Sequence, residues 1–280
     1  MKKDARVKDT VFCAFDLETT GVSPYSRIVE IAGVLFCPGG EEKTFSTLVN
    51  PGVRIPAEVT AIHGITDRMV DGFPDAAAAM EQFFGFVGDS VLLAHNARFD
   101  TGILSTSLAR CNMTPPDNHA IDTVRIARRF FPGLASYSLG RLSGHLGLAG
   151  AGVHRALPDA LAVRKLFELA LEAGDSSRMK LGELISLAGV KKIGEIESTR
   201  RVGLSPGQEC IQEAIRSRSR LVMVYQGGTR GPSPREVTPV VLFRSGSISY
   251  LEAYCHIDGK VKSFRLDRIL QVVISRDGAV

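Results

Sequence analysis

Val11-Phe12-Cys13-Ala14-Phe15-Asp16-Leu17-Glu18-Thr19-Thr20-Gly21 sets the frame for the rest of the chain. A β-forming apolar run leads directly into two carboxylates at i and i+2 and then into a glycine turn. Side chains on a strand alternate with a period of two, so Asp16 and Glu18 share one face. Two like charges side by side call for a cation, and ligand sites of α/β sheets favour such strand ends. Taken alone, the pair fits two solvated acids more readily than a metal site.

Outward from this strand, Ile28 to Phe36 and Thr44 to Val49 complete a three-stranded meander, with turns at Gly21 to Ser26 and Pro38-Gly39-Gly40. Phe83, Phe84 and Val87 recur at helical spacing within Pro74 to Val87. Ser90 to Ala94 then predicts a buried strand, Phe99 to Arg110 a helix, and Ala120 to Asp122 a short strand. Thr123 to Phe130, Ser138 to Leu146 and Ala156 to Ala173 read as helices, the last with an apolar face suited to a sheet. Strands followed by strand-helix alternation predict a mixed α/β sheet covered by helices.

Two further acidic segments lie on this frame. In Leu92-Leu93-Ala94-His95-Asn96-Ala97-Arg98-Phe99-Asp100 a buried strand ends in polar residues, with Asp100 where the next helix begins. In His154-Arg155-Ala156-Leu157-Pro158-Asp159 a histidine follows the glycine-rich stretch around Gly152, and Asp159 stands at a helix start. Each aspartate also has a plain explanation as a helix-terminal charge. His63 and His95 read as structural side chains, Phe99 as core and Arg98 as solvated.

In combination and in this order, the three segments resemble the DEDDh exonucleases, the family of the epsilon proofreading subunit of bacterial replicases, of ribonuclease T and of oligoribonuclease. The resemblance covers roughly residues 9 to 173. Asp16 and Glu18 match its D-x-E-T-T-G motif, Asn96 with Asp100 its H-N-A-R-F-D, and His154 with Asp159 its H-x-A-x-x-D. Ile62-His63-Gly64-Ile65-Thr66 and Asp122-Thr123 match two further segments. The resemblance implies a ribonuclease H-like fold and a 3′-to-5′ exonuclease that releases nucleoside 5′-monophosphates.

It also implies two divalent cations, Mg²⁺ or Mn²⁺. Asp16 would bridge both, Glu18 and Asp159 would complete the water-side ion, and Asp100 would hold the other. His154 is the expected general base, while Thr19, Thr20, Gly21 and Asn96 are expected to line the slot for the terminal nucleotide. The expected partners are nucleic-acid 3′ ends, single-stranded and of DNA, and a DNA polymerase or repair factor. RNA trimming, or a regulator that binds without cutting, are the alternatives.

Residues 1–175 carry 17 Lys and Arg against 20 Asp and Glu, whereas residues 176–280 carry 17 against 10, so the net charge of +4 is concentrated in the last third. A basic module beside an acidic one suits a polyanionic ligand. The composition changes at Gly174-Asp175-Ser176-Ser177, which predicts the end of a first domain at residue 175. Residues 176–208 read as a linker with a short helix at Met179 to Ala188 and the basic pairs Lys191-Lys192 and Arg200-Arg201. After a short helix from Glu209, β-type runs follow at Leu221 to Tyr225, Glu236 to Phe243, Ile248 to His256, Val261 to Phe264 and Ile269 to Ile274.

This last part, residues 209–280, resembles the WYL domain through Leu221 to Tyr225, Glu236-Val237-Thr238-Pro239, Ser249 to Tyr254 and Ser263 to Ile269. Ser249 stands where that domain has its tryptophan. The resemblance implies a small SH3/Sm-like β-barrel, with Tyr250, Arg265 and Arg268 as ligand or nucleic-acid contacts. Five scattered cysteines suggest neither a disulfide framework nor a zinc site, and are expected to be free, buried thiols. The charged start and the absence of any run of about 18 apolar residues predict a soluble, cytoplasmic protein with no membrane partner.

Overall fold

The computed structural model describes residues 3–21, 26–148, 154–174, 178–193, 202–217, 219–227, 231–245 and 248–279. The charged start, the turn at Gly21 to Ser26, Gly152, the boundary at Gly174 to Ser177 and the linker with its pair Arg200-Arg201 fall wholly or partly outside them. The chain forms two compact units, Met1–Glu195 and Ile196–Val280.

The first unit is built on a six-stranded sheet. Its strands are β1 (Phe12–Thr19), β2 (Ile28–Phe36), β3 (Glu42–Leu48), β4 (Val91–Ala94), β5 (His119–Asp122) and β6 (Val190–Lys192), in the order β3-β2-β1-β4-β5-β6. The meander β1-β2-β3 is antiparallel, β1-β4 and β4-β5 are parallel, and β6 is antiparallel to β5. Helices α1 (Ala57–His63), α2 (Asp67–Val70) and α3 (Ala76–Val87) separate β3 from β4. Helix α4 (Ala97–Arg110) joins β4 to β5, and α5 (Thr123–Phe130), α6 (Leu139–Leu146), α7 (Ala156–Ala173) and α8 (Leu181–Ala188) follow.

The alternation of β1 sorts its side chains into two cores. Cys13, Phe15 and Leu17 pack with Phe83 of α3 and with Ile103 and Leu104 of α4. Phe12 and Ala14 pack on the other face with Phe167 of α7, the two phenyl rings 4.9 Å apart. Asp16 and Glu18 continue the parity of Phe12 and Ala14, which directs them to the α7 side. Strand β1 is thus both the middle of the sheet and the strip on which the acids are mounted.

The structure corrects the expected linker. Residues 178–193 belong to the first unit: Leu181, Leu184 and Ala188 of α8 are buried in the core shared with Phe12 and Phe167. The N–H of Leu181 donates to the carbonyl of Ala5, and that of Val7 to Met179. Strand β6 then adds to the sheet edge. Burial of one apolar face outweighs the change of composition after Gly174 that suggested a linker.

In the second unit, α9 (Cys210–Ser217) precedes β7 (Ser219–Tyr225), β8 (Ser233–Ser245), β9 (Ile248–Cys255), β10 (Lys260–Arg265) and β11 (Ile269–Ala279). They form an antiparallel sheet ordered β10-β9-β8-β7-β11. No ladder between β10 and β11 is present among the described residues, so the architecture is a five-stranded sheet rather than a closed barrel. Leu221, Met223, Val237, Leu251, Ala253 and Phe264 fill its core, with Ile211 and Ala214 of α9. All five cysteines are free, but only Cys13 and Cys255 are buried, which corrects the expectation for the other three. Among the described residues no helix is long and apolar enough to cross a membrane.

Candidate metal centre

The strand period and the start of α7 bring three carboxylates together. Asp16 and Glu18 leave β1 on the same face, Asp159 stands in the first turn of α7, and one oxygen from each lies within 4.8 Å of the others. Asp100, in the first turn of α4 and only 3% exposed, is the fourth acid. It falls outside that tight group, yet its charge is among those that act on Asp16.

The electrostatics are those of crowded, desolvated acids. Burial pushes the Asp16 carboxyl well above the usual range, and Asp100, Asp159, Glu18 and Glu30 push it further. Glu18 is raised to about 7, first by burial and then by Asp159 and Glu30, with Arg155 opposing. Asp100 is raised to about 8 by burial, with smaller contributions from Glu18 and Asp122. Such a cluster folds at a cost unless protons or cations relieve it.

His154 is exposed, and with φ at +47° it adopts a left-handed conformation that few non-glycine residues take. It sits two residues before α7, outside the 4.8 Å carboxylate group. Thr19 is buried and donates its hydroxyl to the Gly21 carbonyl at 2.5 Å. The Thr20 hydroxyl accepts from the Arg27 amide at 2.9 Å, so this side chain pins the turn. Asn96 is exposed at φ +64°, and its N–H donates to Asp122 Oδ1 at 3.0 Å. The same oxygen caps α5 through the Val124 N–H, so Asp122 ties the ends of β4 and β5 together.

His95 is structural, as expected: its ring nitrogens meet Thr123 Oγ1 at 3.0 Å and the Tyr137 carbonyl at 2.7 Å. His63 is likewise buried and hydrogen-bonded, as expected. Nδ1 accepts from the Ile65 amide at 3.0 Å, while the buried Nε2 lacks a hydrogen-bond partner among the described residues. Burial lowers its proton affinity, with Thr19 and Glu30 opposing and Arg155 and His154 adding to the effect.

Glu30 was not singled out from the sequence. It is the Cα partner of Glu18 across the β1–β2 ladder, 3% exposed, and paired with Arg155. The available signal was a lone acid inside the apolar run Ile28-Val29-Glu30-Ile31-Ala32. In the second unit, Arg265 forms a two-point pair with Asp267, Arg268 is exposed, and Tyr250 is half-buried.

Comparison with known proteins agrees with this geometry. The RNase T exonuclease family matches residues 13–167, and the WYL domain matches residues 209–274. A PolC-type DNA polymerase III of Clostridium perfringens is 36% identical over 188 residues, which span 67% of this chain but 12% of that protein. The DNA polymerase III subunit epsilon of Treponema pallidum is 39% identical over 159 residues, 56% of this chain and 74% of that one. Among solved structures, exonuclease X in complex with 5′-overhanging duplex DNA shares 28% identity at a TM-score of 0.51, covering 62% of this chain and 98% of its own. The nuclease domain of 3′hExo, a DEDDh family member bound to rAMP, shares the fold at a TM-score of 0.54 and 20% identity, over 60% of this chain and 94% of its own. With the match extending over more than half of its length, the chain belongs to the RNase T exonuclease family and carries a WYL domain behind its exonuclease domain.

Proposed function

We propose that this protein is a divalent-metal-dependent 3′-to-5′ exonuclease that hydrolyses the last phosphodiester of a nucleic acid and releases nucleoside 5′-monophosphates. The observation that carries this is the meeting of Asp16, Glu18 and Asp159 within 4.8 Å, with Asp100 alongside. An all-oxygen donor set whose carboxyls are raised by burial and mutual repulsion fits hard divalent cations. Asp16, Glu18, Asp159 and Asp100 would hold two such ions, Mg²⁺ or Mn²⁺, which supply charge neutralisation and Lewis-acid activation.

His154 accepts the proton of the attacking water: it is exposed, and it stands two residues before the helix whose first turn carries Asp159. The backbone at Thr19, Thr20 and Gly21, together with Asn96, shapes the slot for the terminal nucleotide. DNA is the favoured substrate because the PolC-type and epsilon relatives are DNA polymerase III proteins. A single-stranded 3′ end, a polymerase or repair partner and a cytoplasmic setting complete the reading. We read the WYL domain as an SH3/Sm-like module that holds the strand through Tyr250, Arg265 and Arg268, in keeping with the basic charge of that part of the chain.

The test is degradation of matched single-stranded DNA, duplex DNA and RNA, end-labelled, with Mg²⁺ and with Mn²⁺. Metal-dependent release of mononucleotides from the 3′ end is expected, fastest on single-stranded DNA. It should be lost in Asp16→Asn, Asp100→Asn and His154→Ala proteins that retain their fold. Near-normal activity in all three would sink the assignment.

A further inference from the structure

Burying a carboxylate is costly unless its oxygens are bound, and in Glu30 both are. Oε1 accepts from Arg155 Nη2 at 2.6 Å. Oε2 accepts from Arg155 Nε at 2.9 Å and from the Ala156 N–H at 3.0 Å. One carboxylate on β2 thus grips two consecutive residues that lie 125 and 126 positions further along the chain.

What those two residues connect gives the grip its meaning. His154 immediately precedes them, in its left-handed conformation, and Asp159 follows within the first turn of α7. Arg155, the N-cap of α7, makes no side-chain cap of its own, so an N–H left free at the helix start is satisfied by Glu30 from a different element. The location is also an unfavourable one for an ordinary stabilising ion pair. Glu30 adds a fifth negative charge beside Asp16 and Glu18, and lies directly opposite Glu18.

We infer that Glu30 is a positioning residue for the proposed hydrolysis: with Arg155 it fixes the backbone on which His154 and Asp159 are presented to the carboxylates of β1. The inference rests on the reading of His154 as proton acceptor. Both Glu30 oxygens are engaged and Glu30 lies outside the 4.8 Å carboxylate group, so it acts through the turn rather than on the substrate. Loosening that turn should slow the chemical step and leave substrate binding nearly as it was.

The experiment measures kcat and KM on a short labelled single-stranded oligonucleotide with Mn²⁺ for the full-length wild type and for Glu30→Gln, Arg155→Met, His154→Ala and the double variant Glu30→Gln/His154→Ala. Glu30→Gln and Arg155→Met should each lower kcat by about 10- to 100-fold, the range for residues that orient a reacting group, with KM little changed. In the His154→Ala background, with the residual turnover followed at high enzyme concentration, Glu30→Gln should cost clearly less than in the wild type, the remainder being what it does through Asp159. A wild-type kcat in Glu30→Gln, a loss confined to KM, or the same loss repeated without His154 would overturn the inference. Arg155 is 38% exposed and its variant tolerates substitution more readily, so it carries the test if Glu30→Gln does not fold. A His154→Ala protein of wild-type rate would overturn the reading of His154 itself, and this inference with it.

Discussion

Glu18 and Glu30 face each other as Cα partners across the β1–β2 ladder, and their charges are handled in opposite ways. Glu30 is paired with Arg155, whereas Glu18 shares its space with Asp16 and Asp159. Like charges opposite one another on adjacent strands destabilise a sheet. The register therefore places an acid that Arg155 only partly offsets next to one that Arg155 pairs directly, and the imbalance lies on the face that opens toward α7.

The imbalance gives the metal-free protein a definite pH dependence. Glu18 rises from an ordinary 4.5 to about 7 and Asp100 from 3.8 to about 8, so the folded state holds protons that the unfolded state has released. Their contribution to stability is fully present below the unfolded values and is lost as pH rises through the folded ones. Melting curves in chelator should show Tm falling between roughly pH 5 and 8. Mn²⁺ should raise Tm more at pH 8 than at pH 5, because ions replace protons that are already gone. A flat metal-free profile, or a larger metal effect at pH 5, would contradict this account.

Asp16→Asn separates catalysis from stability. The amide nearly preserves the shape but removes the charge on which Asp100, Asp159, Glu18 and Glu30 all act. Exonuclease turnover should fall by about 10³-fold or more, equivalent to roughly 4 kcal/mol. The metal-free melting temperature should rise at pH 8, since one member of a repelling group has been neutralised. A variant that lost activity and also lost stability would point to a structural role for Asp16.

The acids of β1 were legible in the sequence because a two-residue period is a local property, and Asp100 and Asp159 because helix starts are locally marked. Glu30 was not legible as a functional residue: its partner Arg155 lies 125 positions away, and only the fold brings them together. His63 was legible as a structural histidine, and the Ile65 amide holds its ring as that reading requires. The second unit was readable strand by strand, but strand runs do not state which edges meet, so the sequence reading anticipated a closure that the described ladders lack. The short helix read at Met179 to Ala188 was missed as part of the domain because it follows a change of composition, and only the docking of its apolar face joins it to the sheet.

Leu184 tests that last correction. Its side chain is fully buried against the sheet within the segment that resembled a linker. Leu184→Ala should destabilise the exonuclease domain by about 2–5 kcal/mol, as for other buried leucines. Urea unfolding of the full chain, followed together with nuclease activity, measures this. An unchanged midpoint would mean that α8 contributes no packing to the domain.

The two arginines that the WYL resemblance marks should not contribute equally to binding. Arg265 donates from Nε to Asp267 Oδ1 at 3.0 Å and from Nη2 to Oδ2 at 2.6 Å, a two-point pair that also holds the Asp267 carboxyl below its usual range. Its charge is already answered, and releasing it for a phosphate would leave Asp267 to repel the strand. Arg268 is exposed one residue beyond that carboxylate, and its charge is the more available. Arg268→Ala should therefore weaken binding to a long single-stranded oligonucleotide and reduce the slope of log K against log salt by about 0.7, the value for one lost phosphate contact. Arg265→Ala should change that slope less. Fluorescence anisotropy across a salt series distinguishes the two. Equal slope changes would mean that Asp267 does not hold Arg265 back, and no change in either would remove this edge of the domain from the path of the strand.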